Sequence, residues 1–288
     1  MIPIYQKEIK AYIHSLTASL FFALFMAASG IYFSVICLNQ GYGDYAKYVL
    51  ANISFIYIIL IPLLTMRLLA REREQRTEQL LLTSPLAVRD LVLGKYLAAA
   101  SLLAVSMLIC LVQAGILGSY VQINWPGVLT GIAGFFFFGL CLLAIGLFIS
   151  SCSANTMTAG ALTFSAILLI MLAPNVYEIL PERARYTYIF AAVLIAAAAV
   201  WMYLVTGNSV AAAATAAIGA VGLGLAAYLI PDRFDRGLAG IISWCSMTER
   251  FQEFCEGSFS ISSTVFFLSL AALFLYRTTW QIESRRWL

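Results

Sequence analysis

Charge is what this sequence has least of: only 11% of its 288 residues are charged, against ~25% in an average soluble domain. With 62% hydrophobic residues and a mean hydropathy of +0.91, no water-soluble fold could hide the apolar surface. Histidine is almost missing, and the single His14 falls on the polar side of the first helical stretch. There is no HExxH, CxxC or GxSxG, which excludes the metal-assisted and nucleophilic chemistries that those spacings serve. The phosphate-cradling GxxxxGK followed by Ser or Thr is absent too, since Gly94-Lys95 lacks both the upstream glycine and the following hydroxyl residue. This chain therefore does not hydrolyse ATP alone. Ion-coupled carriers place ionisable groups at mid-membrane, but the apolar runs hold none there, Arg67 and Glu178 sitting at or beyond run ends. The net charge of +3 is small, and the basic residues lie in short stretches where lipid headgroups meet them, so no nucleic-acid partner is implied.

What the sequence does have is continuous apolar runs of about twenty residues, the length that crosses ~30 Å of hydrocarbon as a helix. The alternating strands of a barrel do not occur. The runs predict spans at about 16–38, 48–69, 96–120, 128–150, 158–171, 186–206, 209–230 and 264–276. The expected fold is an all-α, polytopic helical membrane protein of about eight transmembrane helices. Before the first span, Tyr5, Ile9, Tyr12, Ile13 and Leu16 recur at helical spacing, with Gln6, Lys7, Lys10 and His14 opposite. That pattern predicts an interfacial amphipathic helix over 1–15. The first run is longer than a secretory core of ~7–15 residues and reads as a retained anchor. Pro174 is expected to end or kink the fifth span, and the last run is short enough that its helix must begin earlier, continue past Arg277, or both.

An even number of spans puts both termini on one side. Eleven of the 17 Lys and Arg residues fall on that side and six on the other, which places the termini in the cytoplasm of a bacterial inner (plasma) membrane. Residues 1–288 then read as a single membrane domain, with membrane lipid as its solvent. Within it, 186–230 is a tight helical hairpin turning at Gly207-Asn208, its many Ala and Gly residues allowing close approach. Residues 231–263 are too charged to span and are expected to lie on the outer leaflet as short helices, Phe251 and Phe254 on one face and Glu249, Glu253 and Glu256 on the other. Cys245 and Cys255 share this outer segment and are the pair that an oxidising side would join. Cys37, Cys110, Cys141 and Cys152 fall in or at the ends of apolar runs as small core residues. The run Phe135–Phe138 is expected to face lipid or neighbouring helices.

The most charged stretch is 67–95. Two adjacent antiparallel helices need only ~2–8 connecting residues, so this length is more than a connector requires. Glu72 and Arg76 form an i,i+4 acid-to-base pair, and Leu80, Leu81 and Leu82 supply an apolar patch. Thr83-Ser84-Pro85 reads as a helix stop and restart, with Ser84 able to cap and Pro85 preset for the first helical position. Exposed ion pairs add only ~0–1 kcal/mol each to folding, whereas charges around an apolar centre set partner choice. The acids Glu72, Glu74 and Glu78 are expected to stay in water or headgroups.

The stretch MRLLAREREQRTEQLLLTSPLAVRDLVLGKYLA resembles the loop between spans two and three of ABC type-2 permeases, and GIYFSVICLNQGYGDY and residues 248–287 are similar to the first outer turn and C-terminal region of the gliding-motility subgroup. Arg76 stands where many members of that family have Gly, and Gln79 where many have an acid. The resemblance implies the membrane subunit of an ATP-binding-cassette exporter, paired with a second permease chain, same or related, and driven by separate cytosolic ATPase subunits that hold ATP and Mg. No cofactor is then expected on this chain. The loop becomes the ATPase-coupling element, with Arg71, Glu72, Arg73, Glu74, Arg76, Thr77, Glu78, Ser84, Pro85 and Arg89 as its candidate residues. Relative to a six-span family core, the Ala-rich pair looks like an insertion. Two other classes stay open on composition: an ion-coupled secondary carrier, and a structural membrane component of an envelope or motility complex.

Overall fold

Without water to take backbone N–H and C=O groups, an apolar run must close its hydrogen bonds within itself, and a helix is how a single segment does so. A computed structural model of the chain describes residues 2–39, 41–75, 77, 87–179 and 246–285. It is helical, with no strand among the described residues. The chain divides into two compact units, Met1–Met171 with Met247–Leu288, and Leu172–Ser246. Of the second, only 172–179 and 246 are described, and the packing below is that of the first.

Helix α1 is Ile2–Ile13. Helix α2, Leu16–Tyr32, ends in wider π turns over Phe33–Asn39. Helix α3 covers 46–65, entering through π turns at Ala46–Leu50, tightening to 3-10 geometry at Ser54–Ile56 and ending as Tyr57–Thr65. A short α4, Ala70–Glu74, follows. Then come α5, Val88–Tyr120, α6, Trp125–Cys152, and α7, Thr156–Ile179. After the undescribed stretch, α8 is Met247–Cys255 and α9 is Ile261–Arg285. Six segments are long and apolar enough to cross a membrane: Leu16–Asn39, Ala46–Glu74, Val88–Tyr120, Trp125–Cys152, Thr156–Pro174 and Ile261–Arg285. They are six of the eight expected spans; the two Ala-rich segments lie outside the described residues.

Helix α5 begins at Val88, well before the expected Tyr96, and α9 begins at Ile261 and runs past Arg277 to Arg285, longer than its apolar run at both ends as expected. Charged residues end an apolar run but not a helix, because the backbone hydrogen bonds continue outside hydrocarbon. Pro174 does not end α7, which passes through it to Ile179.

Helix α6 is the hub, packed against α3, α5, α8 and α9. Phe135 and Phe138 face inward with no exposure. Tyr57 stacks on Phe135 at 4.5 Å between ring centroids and donates its hydroxyl to the Phe135 carbonyl at 3.0 Å. Close approach depends on glycine. A Cβ at Gly131 would lie 2.5 Å from Ala46 Cβ, at Gly139 2.8 Å from the Tyr57 hydroxyl, and at Gly146 2.7 Å from Thr65 Oγ1. These three positions run in step along α6 and α3, so the two helices are parallel and nearly in backbone contact.

Helix α8 departs from expectation. Its two faces are as the pattern implies, but the apolar one meets protein, not lipid. Phe251 and Phe254 are buried; Phe251 stacks on Phe138 at 5.3 Å, and Phe254 covers Gly134. Phe138 lies thirteen residues into α6, roughly 20 Å along its axis. The segment therefore enters the depth of the bundle and does not rest on its surface. An aromatic face of this size is better buried against four other rings than against headgroups.

Valine at Gly131 or Gly139 is expected to push α3 from α6 and cost about 1–3 kcal/mol, read as a lower Tm in detergent. Gly115, where a Cβ meets nothing within 4 Å, is the control. Equal melting of all three variants and wild type would show that the contact is not made.

Candidate functional site

The charged stretch after α3 is rich in protein partners. Lys95, on the first turns of α5, is 2% exposed. An ammonium has three N–H donors, and each finds an acceptor: Glu72 Oε1 at 2.6 Å, the Leu68 carbonyl at 2.6 Å and Glu8 Oε1 at 3.0 Å. One side chain thus ties α1, the turn after α3, α4 and α5 together. A second tie runs beside it. Tyr12 of α1 donates to the Leu64 carbonyl at 3.0 Å; burial, with Glu8 nearby, pushes its hydroxyl above the ordinary phenol range, so it stays a donor.

The neighbouring charges close helix ends. Ser150 Oγ, near the end of α6, accepts the Leu69 and Ala70 N–H groups at 3.3 and 3.1 Å. Arg73 donates to the Cys152 and Ser153 carbonyls at 3.3 and 3.1 Å, where a cation also suits the negative end of the α6 dipole. Glu74 accepts from the Thr156 N–H at 3.2 Å and its hydroxyl at 2.9 Å, at the positive end of α7. Asn155 caps α7 through the Thr158 N–H at 2.8 Å. From the other end of the chain, Arg285 donates to the Ser151 carbonyl at 2.8 Å. The cation and the acid bracket the uncharged SCSANTM turn between α6 and α7.

The expectation that Glu72 stays in water or headgroups is therefore corrected, since it pairs with buried Lys95; Glu74 stays exposed as expected while it caps α7. Thr77 folds back to the Glu72 carbonyl, its N–H at 2.9 Å. Arg71 and Arg89 remain exposed. Arg76, Glu78, Ser84 and Pro85 lie outside the described residues, as does the Glu72–Arg76 pair. Cys245 also lies outside them, so its pairing with Cys255 stays an expectation; Cys255 is buried.

Sequence reasoning missed Glu8, Lys95 and Arg250. Glu8 is the only acid of the first helix, a usable signal, and Lys95 stands in the Gly-Lys pair already singled out but read as a surface charge. Arg250, on α8, is 8% exposed with its guanidinium 4.3 Å from the centre of the Phe266 ring. It escaped because α8 does not look like a buried element.

Lys95→Met would leave two carboxylates without their cation, a change expected to cost about 3–5 kcal/mol. The reading is a large fall in Tm together with faster proteolysis at α1. Combining it with Glu8→Gln and Glu72→Gln is expected to recover much of the loss. A Lys95→Met variant that melts with wild type would remove the triad from its central place.

Comparison with curated proteins finds no match. The family model described as "ABC-2 family transporter protein" matches residues 27–230. The matched stretch takes in α3, the anchored charged segment, α5, α6 and α7, and runs through both Ala-rich segments. It covers well over half of a chain whose described spans are helices long enough to cross a membrane, and the protein belongs to the ABC-2 transporter family as a multi-pass membrane permease component of an ABC transporter.

Proposed function

We propose that this permease is the membrane half of an exporter in the bacterial inner membrane, with both termini and the 67–95 segment in the cytoplasm. It pairs with a second permease chain, same or related, and works on ATP bound with Mg by separate ATPase subunits. The observation that carries this reading is the way the charged segment is fixed. Four of its residues, Leu69, Ala70, Arg73 and Glu74, bond to the adjacent ends of α6 and α7, and Glu72 bonds to α5 through Lys95. A displacement applied there is passed to several spans at once, as a coupling element requires. The positive-inside excess supports the orientation, and the resemblance at both ends of the chain supports the gliding-motility subgroup. Among the described candidate residues, Arg71 and Arg89 are exposed and are proposed to meet the ATPase.

Arg71→Glu with Arg89→Glu is expected to leave insertion and Tm nearly unchanged, because neither side chain is buried. Charge reversal at a docking rim should weaken ATPase association by about 10-fold or more, with loss of permease-stimulated ATP hydrolysis in nanodiscs. Normal association and stimulation would sink the coupling assignment. Transport by the lone chain in vesicles would favour an ion-coupled carrier, and absence of both transport and a Walker-motif partner would favour a structural role.

A further inference from the structure

A pocket of about 490 Å³ opens between α1, the end of α3, α4 and the start of α5. Its volume falls in the range of small-molecule sites. The lining runs from Ser15 and Thr17, at the foot of the first span, to Gln75 and Thr77, beyond the second. Two carboxylates line it, Glu8 and Glu72, and Lys95 engages both. Three further cations line it: Lys7, Arg67 and Arg71. Each is exposed, and none of these three makes a salt bridge among the described residues. Like charges gathered in one concavity repel and focus a positive field there. An anion relieves that repulsion, and guanidinium groups match phosphate oxygens in geometry.

The setting distinguishes between anions. Ser15 and Thr17 mark the point where polar α1 gives way to apolar α2, the level at which headgroups meet hydrocarbon. Ile13 and Leu16, adjacent in the chain to the lining residues Tyr12 and Ser15 though not themselves in the lining, are 64% and 81% exposed. A ligand filling this place has an anionic head and an apolar tail. A free phosphate or an acidic protein side chain would use the cations and leave the apolar rim bare.

We propose that this pocket binds the phosphate headgroup of an anionic membrane phospholipid, held by Lys7, Arg67 and Arg71 with its acyl chains along Ile13 and Leu16. The site adjoins the Lys95 triad, so an occupied pocket links the lipid leaflet to the posture of the charged segment. It requires no ATPase, but it shares Arg71 with the coupling assignment, so the test varies Lys7 and Arg67 and leaves Arg71 in place.

The test uses the full chain, delipidated in neutral detergent, with fluorescent phosphatidylglycerol and phosphatidylcholine as probes. Phosphatidylglycerol is expected to bind about 100-fold more tightly, since each of the three cations adds ~1 kcal/mol of attraction to anionic lipid. Lys7→Gln with Arg67→Gln should abolish the preference. Lys10→Gln, on the same helix but outside the lining, should keep it, as should the charge-conserving Lys7→Arg with Arg67→Lys. A photoreactive phosphatidylglycerol should label peptides of α1 and 67–71 in the wild-type chain, a reading that needs no variant. The proposal is overturned if the double Gln variant retains the preference, if labelling falls elsewhere, or if inorganic phosphate binds as tightly as the lipid. Unchanged lipid preference with lost ATPase association in the double Gln variant would give the pocket to the ATPase instead.

Discussion

A single ammonium group carries the architecture at one face of this permease. Lys95 is nearly without exposure, and taking an ion out of water costs several kcal/mol unless its partners are close and complete. Here they are complete: three donors and three acceptors, two of them carboxylates. The triad needs α1, the turn after α3, α4 and α5 in place together, because the loss of any one leaves a buried charge or donor unmatched. It therefore specifies arrangement more than it adds stability.

The same logic extends to the helix ends nearby. Four carbonyls at the end of a helix and four N–H groups at its start have no partner within the helix. The charged segment supplies partners at the junction of α6 and α7 through Arg73 and Glu74, and α6 returns the favour through Ser150. Charges that would be worth little on an open surface are placed where backbone groups need them. A segment fixed in this way moves with the spans around it, which is the mechanical property that the proposed coupling role requires.

Along the apolar body of the bundle the cohesion is of another kind. Lipid tails are as apolar as the side chains, so helices in a membrane associate by packing and not by escape from water. Glycines at 131, 139 and 146 bring α6 against α3, and the rings of Tyr57, Phe135, Phe138, Phe251 and Phe267 fill the space beside them. Helix α8 completes this aromatic core, with Arg250 carried in over Phe266.

The sequence by itself determined the class of molecule: its apolar runs and scarce charge prescribe spanning helices, and the motif around Thr83-Ser84-Pro85 pointed to the family. These are local properties, readable because hydrocarbon imposes a length and a composition on every span. The amphipathic pattern of α1 and of 247–255 was legible for the same reason. What each face meets was not. Periodicity says that Phe251 and Phe254 share a side, but lipid and protein are equally apolar, so only packing against Gly134 and Phe138 decides between them. Likewise Glu8, Glu72 and Lys95 are far apart in sequence, and nothing in their spacing says that they converge. A charge near a span end looks solvated until the tertiary fold brings its partners, and here the fold, by closing α1 over the start of α5, turned three apparent surface charges into the buried tie of the bundle.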